Sequence, residues 1–138
     1  MIEIRDIHKR LGDKEVLRGV SLTINEGETV AILGRSGMGK SVLLKHIVGL
    51  MKPDSGQVIV DGVDITRVKR KKLFEIRRLF GFVFQNSALF DSFTVWKNVA
   101  LPLIEAGYDM ETIDMRVKKV LSMVNLEGTE DLYPAELS

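Results

Sequence analysis

The chain has 138 residues, 45% hydrophobic and 28% charged, which is ordinary for a soluble globular protein and enough for one domain with a core. A net charge of +1 argues against a dedicated nucleic-acid binder, and the lack of cysteine removes disulfides and thiolate metal sites. The opening MIEIRDIHKR turns polar too early for a secretory signal, and no apolar run approaches the ~18 residues of a membrane span.

Strand-like segments come first. Ile2, Ile4 and Ile7 sit among charges, and Val20, Leu22 and Ile24 alternate with Ser21 and Thr23 as a half-buried strand does. Asn25-Glu26-Gly27 reads as a turn. Thr29 to Gly34, TVAILG, is a continuous apolar run that predicts a strand buried on both faces. Val42 to Leu50 is apolar nearly all round and predicts a buried helix. Pro53 to Gly56 is turn chemistry, and Gln57 to Asp61 reads as another strand.

The basic stretch RVKRKK, Arg67 to Lys72, leads into a short helix through Leu73, Phe74 and Ile76. A solvated helix is the favoured reading of that stretch over contact with anionic lipid or nucleic acid, because acidic neighbours balance it and no stacking aromatics interleave. Phe80 to Gln85, FGFVFQ, predicts a strand from its aromatic and β-branched content. Thr94 can cap a helix carrying Val95, Trp96 and Val99, which Pro102 bends or ends. Ile113, Val117, Val120, Leu121 and Val124 then recur at helical spacing. Interspersed strands and helices make the fold class α/β or α+β.

The densest chemistry is GRSGMGKS, Gly34 to Ser41, which matches the P-loop pattern G-x-x-x-x-G-K-[ST]. Gly34, Gly37 and Gly39 permit backbone shapes closed to other residues and let amides approach a phosphate. The amides of Arg35, Ser36 and Met38 serve whatever their side chains do, and Arg35 adds charge. Lys40 would place its ammonium on the β- and γ-phosphates, and the Ser41 hydroxyl would ligate Mg²⁺. An accidental match in a chain this long is on the order of 1%. Its setting, after an apolar run and before an apolar helix, is the confirming one. The guanine-reading N-K-x-D and the switch D-x-x-G are missing, which argues against a small GTPase. A phosphotransferring kinase remains open on the loop alone.

The chain also resembles the ATPase subunits of ABC transporters, over its whole length. KEVLRGVSLTINEGETVAILGRSGMGKS is similar to the family's opening, LKHIVGLMKPDSGQVIVDGVDIT to its continuation, and FGFVFQNSALFDSFTVWKNVALPL to its Q-loop with Gln85 on the defining position. The wording of GKSVLLKHIVGL, SALFDSFTVWKNVALPL and YPAELS is closest to MlaF-like ATPases, which energise phospholipid or solvent-tolerance transporters containing MCE proteins.

The resemblance implies the N-terminal portion of an ABC-type nucleotide-binding domain over residues 1–138. It would comprise an antiparallel β region, the P-loop core and the start of the helical subdomain. It implies ATP and Mg²⁺ as cofactors, Lys40 and Gln85 as catalytic residues, and Ser41 and Gln85 near the metal. It implies a second ATPase subunit and transmembrane permease subunits as partners, no nucleic acid, and a cytoplasmic, peripheral location on the inner face of the cell membrane. Where the family stacks an aromatic on adenine this sequence has Leu11, so base contact would fall to Leu11 and Val16.

Leu137-Ser138 resembles the start of the family's signature, and the Walker B strand, catalytic glutamate and switch histidine do not follow. VIVD, Val58 to Asp61, mimics a Walker B, but Gly62 stands where the glutamate belongs and Asp61-Gly62 reads as a turn. Mg-ATP binding with negligible hydrolysis is therefore expected of these residues alone, together with instability or self-association. His8 and His46 carry no catalytic assignment, and two distant histidines make no metal site. A soluble ABC protein that remodels nucleoprotein complexes or ribosomes, and a purely structural fragment, are the competing functions.

Overall fold

The structure, a computed structural model, describes residues 1–85 and 88–137. The chain divides into two compact units, Met1–Val83 and Phe84–Ser138. Asn86 and Ser87 of the Q-loop wording, and Ser138 of the signature wording, lie outside the described residues.

The first unit is built on an antiparallel sheet of β1 (Ile2–Leu11), β2 (Lys14–Ile24), β3 (Ser55–Val60) and β4 (Val63–Asp64), in the order β2-β1-β3-β4. Ile4 and Ile7 are three residues apart and would face opposite sides of a regular strand, yet both are buried. A bulge at Asp6, whose φ is 50°, resolves this: β1 advances three residues while both β2 and β3 advance two. Ser21 Oγ on β2 accepts the Asp6 N–H at 2.9 Å. The displaced backbone runs against Gly56, where a Cβ would collide with the Arg5 and Asp6 carbonyl oxygens, and Gly56 has φ 91°. Only glycine fits there.

Helix α1 (Lys40–Ile47) lays Leu43 and Ile47 on this sheet against Ile4, Ile7, Leu17 and Val58. It starts two residues earlier and ends three earlier than its apolar content suggested. It is also amphipathic and not buried all round, since Leu44 is exposed, as is Leu50 beyond its end. His46 is 1% exposed, and its Nδ1 bonds the Val42 carbonyl at 2.6 Å. That bond within the helix is a packing role, as its sequence position implied.

Asp61 and Gly62 both have positive φ, 47° and 79°, and form the tight turn between β3 and β4. VIVD is thus the end of a hairpin strand and the first residue of its turn. Helix α2 (Arg70–Arg77) follows, anchored by Ile76 in the same core and by Arg77 donating to the Gly49 carbonyl oxygen.

Two expected strands are corrected. Neither 29–34 nor 80–85 forms regular β-structure, and Leu33 and Val83 are 90% and 95% exposed. Apolar, β-branched sequence suits a strand but becomes one only beside a hydrogen-bonding neighbour. Among the described residues β1 to β4 pair with one another and with neither segment.

The second unit contains α3 (Val95–Glu105) and α4 (Met110–Met123), followed by a short 3-10 turn, Pro134–Glu136. Val95, Ala100, Ile113, Val117 and Leu121 form its core, while Val120 and Val124 of the periodic set are exposed. Thr94 caps α3 by accepting the Lys97 N–H at 3.2 Å, and Pro102 lies inside the helix without ending it. After α4 the chain returns to the start of α3, where the Leu132 and Glu130 carbonyls accept the Val95 and Trp96 amides. None of the described helices is long and apolar enough to cross a membrane.

Candidate phosphate-binding site

The glycine loop runs from segment 29–34 into the first turn of α1. Gly37 and Gly39 take left-handed conformations, φ 76° and 75°, and Gly39 is the N-cap of the helix. The Met38 amide donates to the Arg35 carbonyl at 3.4 Å, closing a turn within the loop, and the first-turn amides of α1 have no intrahelical partners. Together they make the anion-attracting end of the helix dipole.

Lys40 folds back across the loop. Its ammonium donates to the Gly34 carbonyl at 2.9 Å and lies 3.4 Å from that of Arg35. A cation is thus held by two loop carbonyls just before the N-terminus of α1. Ser41 is exposed, so its hydroxyl is free to ligate. At Gly34 and Gly37 an added Cβ would meet nothing within 4 Å, so the loop is open on those sides. The donors, the cation and the open space fit a polyphosphate with its Mg²⁺.

The loop is shaped from β2. A Cβ on Gly39 would lie 2.5 Å from Val16 Cγ1 and 2.9 Å from the Val16 carbonyl oxygen. Val16 therefore packs directly on the loop's last glycine. Lys14 Nζ reaches the Gly37 carbonyl at 3.4 Å, a support that no motif signals. Beside it a shallow groove is lined by Val16, Arg18, Val20, Gly37 and Met38 among others. Leu11, at the end of β1 and 43% exposed, is not in that lining. Arg35 and Ser36 are exposed on the loop.

Gln85 belongs to the second unit, exposed at a bend two residues past its boundary. The first unit therefore brings together Lys14, Val16, Gly34 to Ser41 and the start of α1. In the second unit Asn98 organises the segment after Gln85. Its Oδ1 accepts the Phe90 N–H at 2.8 Å, and its Nδ2 donates to the Phe90, Phe93 and Thr94 carbonyls at 3.0–3.1 Å. Sequence alone gave no reason to single out that asparagine, because its role depends on the loop folding back over the helix start.

Residues 17–138 match the family described as ABC transporter. The chain is 43% identical to the probable ribonucleotide transport ATP-binding protein mkl of Mycobacterium tuberculosis over 99% of its own length and 38% of that protein's. It is 44% identical to the methionine import ATP-binding protein MetN of Vibrio vulnificus over 100% of its length and 41% of that protein's. Among solved structures it is similar to a dimeric structure of MJ0796, a bacterial ABC transporter cassette, at 36% identity and a TM-score of 0.90. That likeness covers 100% of this chain and 63% of the cassette. A post-hydrolysis dimer of MJ0796 bound to ADP and Pi matches with a TM-score of 0.89.

The fold is α/β, of the P-loop NTPase type found in ABC ATPase cassettes. The chain belongs to the ABC transporter family. It spans about two-fifths of the length of the curated relatives it matches.

Proposed function

We propose that the chain binds Mg-ATP as part of the ATP-binding subunit of an ABC transporter, its two units being parts of one nucleotide-binding domain. The observation that carries this is the Lys40 ammonium held over the left-handed glycine loop at the N-terminus of α1. Loop amides and helix end receive the phosphates, Lys40 neutralises β- and γ-oxygens, and Ser41 contributes a metal ligand. Bound Mg²⁺ supplies further neutralisation of phosphate charge. Val16 sets the loop's position, and with Leu11 supplies apolar contact toward the base. Gln85 acts on the metal and the attacking water.

Turnover by these residues alone is negligible in this reading. Asp61, the one aspartate in a Walker B-like string, sits in a hairpin turn and accepts from the Met1 ammonium at 2.7 Å. Hydrolysis then requires residues supplied elsewhere, in a second ATPase subunit and in the rest of the cassette. Permease subunits would place the protein at the cytoplasmic face of the membrane. Its cargo is proposed as phospholipid or another hydrophobic molecule on the wording of 39–50, 87–103 and 133–138; the relatives above carry names of ribonucleotide and methionine transport.

Titration calorimetry with Mg-ATP tests the site. Lys40→Ala is expected to abolish measurable binding while leaving the fold intact, because its ammonium touches only the loop. Retained affinity would remove Lys40 from the cradle and the nucleotide reading with it.

A further inference from the structure

The acidic neighbours that favoured a merely solvated helix do not balance the basic segment: 67–78 holds seven cationic residues and one acidic one, a net +6 in a chain whose total is +1. The remaining residues therefore carry a net −5, so charge is strongly segregated. The segment centres on α2, about 12 Å long. Leu73 and Ile76 face the core, and the opposite face is solvent-exposed. Phe74 stands on that outer face, 51% exposed. The Arg70 and Arg77 guanidinium carbons lie 5.7 and 5.6 Å from its ring centroid, one turn to either side. Lys69, Lys71 and Arg78 form no ion pair among the described residues. The pairs of Arg67 with Asp64 (3.4 Å) and Lys72 with Glu75 (3.1 Å) have exposed cations that a phosphate can compete for.

We propose that α2 docks on an anionic phospholipid surface, with the lysines on headgroup phosphates and Phe74 at the acyl boundary. Two observations favour a bilayer over nucleic acid. A base would need the face of Phe74 that guanidinium groups occupy, and single-strand binding uses several stacking rings where the outer face of α2 offers one. A cluster of basic residues around one exposed aromatic is instead a polybasic patch of the kind anionic lipid attracts, with the apolar face of α2 kept in the protein core. One such contact gives reversible attachment, suited to a protein already held at a membrane by another interaction. The docking goes beyond the nucleotide reading and does not require it, since α2 is anchored without the glycine loop.

Flotation with vesicles, in the absence of nucleotide, tests this directly. The full chain is expected to float with phosphatidylcholine vesicles containing about one-third phosphatidylglycerol, not with phosphatidylcholine alone, and to be released by high salt. Each basic residue near such a surface contributes about fivefold in partitioning, so combined Lys69→Gln, Lys71→Gln and Lys72→Gln should weaken binding about a hundredfold. Changing the same three lysines to arginine keeps the charge and should retain binding. Phe74→Ala should weaken attachment with the charge unchanged. Failure to float with anionic vesicles, equal binding to neutral ones, or an undiminished glutamine variant would overturn the proposal. So would a DNA duplex that competes the chain off the vesicles and binds it more tightly.

Discussion

At the scale of single residues, the loop's dependence on glycine is uneven. Gly39 has a left-handed backbone and lies against Val16, including that residue's immobile carbonyl. Gly34 has neither constraint. Gly39→Ala should therefore destabilise the chain by on the order of 1–3 kcal/mol and displace the start of α1. Gly34→Ala should leave stability unchanged. Urea unfolding of the two variants separates them, and equal stability would show that Val16 does not fix the loop. The pattern G-x-x-x-x-G-K-[ST] identified both glycines and Lys40, because side-chain identity and spacing determine what the loop can do. It could not rank them, because the constraint on Gly39 comes from a strand more than twenty residues earlier. The bulge at Asp6 was hidden for a similar reason: Ile4 and Ile7 share a face only because β1 breaks its own alternation.

At the scale of elements, the helices of the second unit were the most legible part of the chain. Their periodicity and caps are local, so sequence carries them. Thr94 was read as a cap and is one. Asp109 caps α4 equally well, accepting from the Thr112 amide at 2.9 Å and its hydroxyl at 2.7 Å. The two caps should respond differently to acid. Hydrogen bonds from the Thr112 amide and then its hydroxyl hold the Asp109 carboxyl below its ordinary value. A depressed carboxylate contributes stability above its unfolded pKa, near 3.9, and loses it as pH falls through the lower folded value. Thr94→Ala should cost about 1 kcal/mol at any pH. Asp109→Ala should destabilise at neutral pH, with the cost shrinking below about pH 4. Thermal melts of both variants at neutral and acid pH read the contrast, and parallel pH profiles would refute it. Segments 29–34 and 80–85 read as strands and form none, because β-fitness is local and pairing is not.

At the scale of the whole molecule, those same two segments govern how the chain behaves in solution. Leu33 and Val83 are almost fully exposed, and Leu79 and Phe84 are exposed as well. Exposed apolar side chains of this kind, on segments outside the sheet, gain partners by meeting a second chain. Light scattering should therefore find the chain self-associating in a concentration-dependent way. Leu33→Lys with Val83→Lys places charge at both positions without touching either core, and should raise the monomer fraction while leaving the melting temperature within a degree or two. Leu121→Ala provides the opposite control, because it opens a cavity in the second unit and should cost about 2–5 kcal/mol. If association followed that loss of stability and ignored the surface lysines, it would proceed through unfolded chains and not through the two segments. The surface variant should also keep Mg-ATP affinity, because the cradle is formed by the glycine loop, Val16 and α1, and Leu33 points away into solvent. Loss of affinity in that variant would instead tie the exposed apolar residues to the proposed site.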